Sequence, residues 1–240
     1  MNIALIGYGK MGKEIEQIAI SRGHKIVLKV DITNASTFTI TDLKQADVAI
    51  EFSTPESAIN NIYKCFDANI PIVVGTTGWM NHLDEVKEKC KEKNQTLFYA
   101  SNYSIGVNLF FKLNQHLAKL MNSYPDYNVT MEEIHHVHKL DAPSGTAISL
   151  ANQVIELNDI KNKWVNNTTK NNNELSIISK RIDEVPGTHT ITYSSPVDEI
   201  NITHIAHNRK GFALGALLAA EFTIGKKGIF GMNDLMDIKS

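Results

Sequence analysis

Residues 132–147 read EEIHHVHKLDAPSGTA, where three histidines and a lysine fall within five positions and a Pro-Ser-Gly-Thr turn follows. Side chains of these types can ligate a metal, move protons, hold an anionic substrate or line a polar strand edge. The flanking pattern predicts a strand over 129–140, whose successive side chains point to opposite faces. His136 and His138 then share one face, and His135 and Lys139 the other. Zinc takes three protein ligands even in open catalytic sites, often with helical H-E-x-x-H spacing, so two histidines on a strand make a poor site. No metal is expected.

Proton transfer suits this run better. A histidine titrates near neutrality and can give or take a proton, and a lysine can donate one or stabilise developing negative charge. His135 and Lys139 are therefore candidate proton-handling residues; His138 has no assigned role. Ser144, Gly145 and Thr146 open a predicted amphipathic helix over 145–158. Two hydroxyls and the unpaired N–H groups of a first helical turn can hold a carboxylate or phosphate, although the same residues also make an ordinary N-cap.

A second constellation lies at the N-terminus. Gly7, Gly9 and Gly12 spell G-x-G-x-x-G between a predicted strand (2–7) and a helix (9–23), with Asp31 at the end of the next strand, 19 residues past Gly12. This arrangement suits a dinucleotide, with the pyrophosphate on the helix N-terminus and the acid on a ribose diol. Asp31 would repel a 2′-phosphate, whereas Lys10 and Lys13 would offset that repulsion, so NADH and NADPH both stay open. Gly75-Thr76-Thr77-Gly78 and Ala100-Ser101-Asn102 each follow a predicted strand and would lie on the same sheet edge, where ligands of doubly wound sheets sit.

The elements that must position these residues follow from hydrophobic periodicity. Apolar runs at 2–7, 25–31, 46–53, 71–78 and 96–102 alternate with helical stretches at 9–23, 54–69, 81–94 and 106–121. Such alternation predicts a parallel sheet covered on both faces. After Gly106 the pattern changes. The segments 175–182, 189–195 and 199–207 are β-rich with little helix between them, which predicts an antiparallel or mixed sheet. The Asn-rich stretch 162–174 reads as a loop. Near Arg209 the character changes back, into a strongly apolar helix over 212–224 and a glycine-containing turn. The expected organisation is α/β: a Rossmann-type nucleotide domain of residues 1–105 and 212–240, interrupted by an α+β domain of residues 106–211 with a mixed sheet.

Composition narrows the class. The 240 residues carry a formal charge of −2 with 21% charged residues, which leaves no basic field for nucleic acid. No unbroken apolar run reaches the ~18 residues of a membrane span. The opening MNIALIGYGKMG lacks the basic start of a signal peptide. Cys65 and Cys90 match no metal or redox spacing and are expected as free thiols in a reducing cytoplasm.

Taken together, the strings GYGKMG, EFSTPES, VVGTTGW, ASNYSIGVN, HHVHKLDAPSGTA and ITHIAHNRKGFALGALLAAEF resemble, in order and over almost the whole chain, the dihydrodipicolinate reductase family. The resemblance implies an NADH- or NADPH-dependent reductase of lysine biosynthesis acting on a small dicarboxylate. It implies His135 as proton donor and Lys139 as second donor or charge stabiliser, with His136, Ser144, Gly145 and Thr146 on the substrate. It implies a cofactor lying along Gly7, Tyr8, Gly9, Lys10, Met11 and Gly12, then Asp31, then Gly75, Thr76 and Thr77, then Tyr99, Ala100, Ser101 and Asn102. It also implies a homotetramer assembled through the β-rich domain. The glycine turn is one residue shorter than the GAGGRMG of some members, and Ile32 stands where some carry an arginine. Other nicotinamide dehydrogenases of small amino acids lack the HH-x-HK and DAPSGT features. A catalytically silent nucleotide sensor would need no proton donor.

Overall fold

Short apolar strands and longer amphipathic helices alternate through the first hundred residues: β1 (Asn2–Ile6), α1 (Lys10–Ser21), β2 (Lys25–Val30), α2 (Ile40–Leu43), β3 (Val48–Glu51), α3 (Pro55–Ala68), β4 (Ile72–Val74), α4 (Leu83–Glu92) and β5 (Thr96–Tyr99). Pro55 occupies the first turn of α3, where its fixed φ and missing N–H cost nothing. Then α5 (Ile105–Met121), β6 (Asn128–His135), α6 (Gly145–Glu156), β7 (Lys163–Val165), β8 (Glu174–Arg181), β9 (Thr188–Ser194) and β10 (Glu199–Ile205) follow, and α7 (Lys210–Thr223), β11 (Gly228–Phe230) and α8 (Met232–Leu235) end the chain. This computed structural model describes residues 1–208 and 210–237. Arg209, near which the sequence changes character for the second time, and residues 238–240 of the expected nucleotide domain lie outside the described residues.

The chain divides into two units, Met1–Ile105 with Lys210–Ser240, and Gly106–Arg209. In the first, six parallel strands run in the order β11-β5-β4-β3-β1-β2. Alternate residues serve opposite cores. Ala4 and Ile6 pack with Ile62 and Phe66 of α3 and Val86 of α4. Ile3 and Leu5 pack with Ile15 and Ala19 of α1 and Ala216 and Leu217 of α7. The order reverses between β1 and its neighbours β2 and β3, which opens a crevice at the carboxyl ends of these strands.

The second unit has a five-stranded sheet, β10-β9-β6-β8-β7, antiparallel across β10, β9 and β6 and parallel across β6, β8 and β7. Helices α5 and α6 cover one face, where Phe110, Leu150 and Val154 meet Met131, Ile177 and Ile191. Along β6 burial alternates with period two, and the buried face reads Val129, Met131, Glu133, His135. Its two apolar positions are core, and its two ionisable positions lie at the carboxyl end.

Two expectations need correction. The strand expected over 129–140 stops at His135. Beyond it the chain turns, with the Lys139 N–H bonding back to the His136 carbonyl at 3.1 Å, so strand spacing does not relate His135 to Lys139. Likewise the Asn-rich stretch is not wholly loop, because β7 pairs in parallel with β8 and lays Trp164 against the core. Among the described residues no helix is long and apolar enough to cross a membrane. Both cysteines are free and buried.

Candidate active site

In the first unit the glycine turn closes directly on β1. The N–H groups of Gly7 and Tyr8 both donate to the Val30 carbonyl, at 2.9 and 2.8 Å, tying the turn to the end of β2. Gly7 has φ +96°, and a Cβ there would stand 2.0 Å from the Phe52 carbonyl oxygen; at Gly12 a Cβ would meet the Gly7 carbonyl oxygen at 2.6 Å. Only glycine allows this approach of strand, turn and helix. Gly9 caps α1, Lys10 and Lys13 are exposed, and Met11 packs inward.

The turn borders a cleft of about 480 Å³ whose wall includes Gly7, Tyr8, Gly9, Val30, Asp31 and Ile32. The cradle fits a dinucleotide: a glycine-lined turn at a helix N-terminus, with a carboxylate across from it. Asp31 accepts from the N–H and hydroxyl of Thr33 at 2.8 and 2.6 Å, and these bonds hold its carboxyl below its ordinary value. Ser53, Thr54, Ser57 and Asn61 supply the far wall and were not singled out from the sequence. Their signal was the loop after β3, which a parallel sheet must place beside the glycine turn.

Beneath that wall lies Glu51, fully buried at the end of β3. Burial pushes its carboxyl up, against hydrogen bonds from Ser53, Thr76 and Asn61 that favour the ionised form. Thr76 is thereby accounted for: it is buried, and its hydroxyl accepts from the Ser53 N–H at 2.8 Å. Gly75 and the exposed Thr77 follow β4, while Tyr99, Ala100, Ser101 and Asn102 end or follow β5. These two groups lie farther along the same sheet edge and outside the wall of the cleft.

In the second unit His135 ends β6 with its side chain buried. Its Nδ1 lies 3.1 Å from Oε2 of Glu133, two residues earlier on the same face. The contact is an ion-pair approach, since the N–H direction does not align as a hydrogen bond. Across the sheet, Glu133 is in register with His189 of β9, and His135 with Arg181 of β8. Arg181 Nη2 donates to Glu133 Oε1 at 3.1 Å, and the Ser144 N–H reaches the same oxygen at 3.1 Å. Burial alone would raise the Glu133 carboxyl, but His135, Ser144 and Arg181 outweigh it and hold the group ionised, well below the usual carboxylate range. His189 stacks edge-on to His135 at 5.1 Å and 74°. Burial, reinforced by the charge of His135, lowers His189 to about 4, so its ring is neutral near pH 7.

Glu133, His135 and His189 each offer a ligand atom within 4.8 Å of the others. A cation there would meet the Arg181 guanidinium, which already balances the carboxylate, so the trio is better suited to holding a proton. Glu133 was not singled out from the sequence, although strand alternation two residues before His135 was the signal that could have found it. Arg181 and His189 had no such signal, because strand register is not written locally.

The remaining candidates occupy the turn and the helix start. Lys139 donates to both oxygens of Asp141, at 2.6 and 2.8 Å. His136 is half-buried beside His138, ring centroids 6.1 Å apart, and His138 pairs with Glu184 on the surface. Ser144 is the buried N-cap of α6: its hydroxyl accepts from the Ala147 N–H and lies 3.2 Å from His189 Nε2. Gly145 is exposed and Thr146 half-buried, so the outward N–H groups of the first turn of α6 belong to these two residues.

Comparison with known proteins gives a consistent result. Residues 1–103 match the family model described as dihydrodipicolinate reductase, N-terminus, and residues 106–236 the one described as dihydrodipicolinate reductase, C-terminus. The 4-hydroxy-tetrahydrodipicolinate reductase of Christiangramia forsetii is 50% identical over 236 residues, 98% of each chain. The solved structure of dipicolinate-bound dihydrodipicolinate reductase from Paenisporosarcina sp. TG-14 matches with a TM-score of 0.76 at 22% identity, covering 100% of this chain and 99% of that one. An amine dehydrogenase from Mycobacterium smegmatis matches with a TM-score of 0.59 at 10% identity, over 95% and 94% of the two chains. At these identities the two structural matches speak for the fold alone.

The neutral burial of His189 sets a stability dependence on pH. Its folded value is depressed, so its contribution is complete above its ordinary value of 6.5 and is lost as pH falls towards about 4. Urea unfolding between pH 7.5 and 4.5 should show stability falling with acid, with up to about 3 kcal/mol of the loss due to this ring. His189→Gln should flatten that slope; an unchanged slope would mean the ring is already charged or solvated.

Proposed function

The chain belongs to the dihydrodipicolinate reductase family, and on that premise we propose that it reduces 4-hydroxy-tetrahydrodipicolinate, by way of dihydrodipicolinate, to tetrahydrodipicolinate in the diaminopimelate route to lysine. The carrying observation is 50% identity with a 4-hydroxy-tetrahydrodipicolinate reductase over 98% of both chains. The enzyme is an oxidoreductase, and NADH or NADPH supplies hydride to the unsaturated ring. Residues Gly7 to Gly12, Asp31, Gly75 to Thr77 and Tyr99 to Asn102 hold that cofactor, a reading supported by the glycine cradle and its cleft.

His135 delivers the proton to the carbon beside the one that receives hydride, so that two hydrogens add across the double bond. Its burial next to an ionised carboxylate supports this role, because a neighbouring carboxylate orients an imidazole. The Lys139 ammonium, tied to Asp141, offsets negative charge as it builds on the substrate and can act as second donor. A substrate carboxylate lies on the first turn of α6, taken by the N–H groups of Gly145 and Thr146, with Ser144 shaping the turn and His136 alongside.

Asp31 favours NADH. Its carboxylate is anionic, the neighbouring Ile32 is 96% exposed and offers no cation, and Lys29 is committed to Glu16 at 2.6 Å. A 2′-phosphate would thus meet repulsion from Asp31, with only the exposed Lys10 and Lys13 of the glycine turn to offset it. The β-rich unit also serves assembly into a homotetramer. On the sheet face away from α5 and α6, Thr130, Glu132 and Ile134 are half-buried, and the edge strand β10 exposes Ile200 and Ile205. Free, buried thiols and the lack of a membrane-crossing helix among the described residues support a cytoplasmic enzyme.

Three measurements test this reading. Coupled to condensation of pyruvate with aspartate semialdehyde, the protein should oxidise NADH or NADPH, and His135→Gln should lower kcat by about 10²-fold or more. No turnover with either cofactor would overturn the substrate, and an intact kcat in the variant would overturn the proton role. The kcat/KM for NADH should exceed that for NADPH, with Asp31→Asn narrowing the gap by about fivefold; an unchanged ratio would remove Asp31 from the choice. Light scattering should give about four times the 26.7 kDa chain mass, and a monomer would refute assembly through the sheet.

A further inference from the structure

The carboxyl end of β6 spends two consecutive inward positions on ionisable groups, and the first of them, Glu133, is fully buried. A buried carboxylate is costly unless every partner is in place, so its presence in a strand of Val129 and Met131 calls for a reason. Arg181 answers part of it. One guanidinium donates through Nη2 to Glu133 Oε1 at 3.1 Å and to the Asp141 carbonyl at 2.6 Å. Through Nε it reaches the Lys139 carbonyl at 3.3 Å, and through Nη1 the Lys180 carbonyl at 2.7 Å. The planar fork thus joins the carboxylate beside His135 to the main chain of the turn that carries Lys139, a task no single-point ammonium could perform.

We propose that Glu133 and Arg181 are a positioning pair: Glu133 holds the His135 ring with Nδ1–H inward and Nε2 outward as the proton-exchanging atom, and Arg181 locks that carboxylate and the Lys139 turn into one rigid unit. The proposal rests on the reading of His135 as the proton donor and extends it to two residues that touch neither substrate nor cofactor.

Three further contacts fit this role. Oε2 of Glu133 is the atom facing Nδ1, and its other oxygen is already taken by Arg181 and Ser144, so the carboxylate cannot swing away. A carboxylate at Nδ1 selects the tautomer with the proton there and leaves the Nε2 lone pair outward. Such contacts commonly tighten and align when substrate binds. His189, stacked edge-on, restricts the ring from the β9 side. Beside Nε2 stands the buried Gly187, where a Cβ would lie 3.1 Å from Nε2 and 3.3 Å from Cδ2 of His135. Glycine leaves room beside that nitrogen for a reacting group.

The test uses full-length protein with ¹⁵N-labelled histidine, the His135 signals being assigned by their loss in His135→Gln. Above the pH at which the ring is charged, the wild type should show the Nδ1–H form, and Glu133→Gln should shift the population towards Nε2–H. Glu133→Gln and Arg181→Lys should each lower kcat by about 10-fold to 10²-fold with KM within about threefold, as expected when orientation rather than binding is lost. Glu133→Asp should recover part of kcat. Should a single variant fail to fold, the double variant Glu133→Gln/Arg181→Met, which leaves no unpaired charge, takes its place and should still show the tautomer shift. Wild-type kcat in a folded variant, or an unchanged tautomer, would overturn the pairing. The tautomer reading stands even if His135→Gln retains activity, so failure of the proton role and failure of the positioning role are separable.

Discussion

A single buried carboxylate organises the second unit. Glu133 has no exposure, and an ionised group taken out of water costs several kcal/mol unless strongly compensated. Compensation comes from three directions: Arg181 on β8, His135 on its own strand, and the main chain at the start of α6. Each partner constrains an element. A slip of one residue in β8 would turn Arg181 to the opposite face and strand the charge. The mixed sheet, its register and the docking of α6 are therefore coupled to one ionised group, and the proposed proton-handling site lies where those constraints meet.

In the first unit the governing constraint is distance between backbones. Gly7 lies against the Phe52 carbonyl, and Gly12 against the carbonyl of Gly7, so strand, turn and helix are drawn together until only main chain fits. That closeness leaves helix N–H groups facing a cleft instead of being screened by side chains. Glu51 and Thr76 support the far wall from below, a polar floor under an otherwise apolar sheet.

Legibility in the sequence followed the range of the interactions. Local signals carried far: the apolar strand at the N-terminus, the glycine spacing, and the Ser144 cap are each decided within a few residues, and each stands where expected. The error over 136–140 has a physical origin. Alternation continues in the string HHVHKL, but the polar ends of the chain there bond to their own turn and to Asp183, and no neighbouring strand extends the ladder. β7 was hidden because its Asn-rich surroundings mask three residues whose pairing partner, β8, supplies the order. Arg181 is 48 residues from the carboxylate it holds, and only the fold brings them together.

The interruption of the first unit by the second also sets an order of assembly. Strand β11 and helix α7, which complete the sheet edge and cover Ile3, Leu5 and Ile15, come from residues beyond 209. During synthesis from the N-terminus, the first five strands emerge with one face covered by α1 alone, and the whole inserted unit follows before that cover is completed. The inserted unit contains every strand of its own sheet and both helices that cover it, so nothing in its core waits for the C-terminus. The nascent chain thus finishes its second unit before its first, and the nucleotide sheet is sealed last.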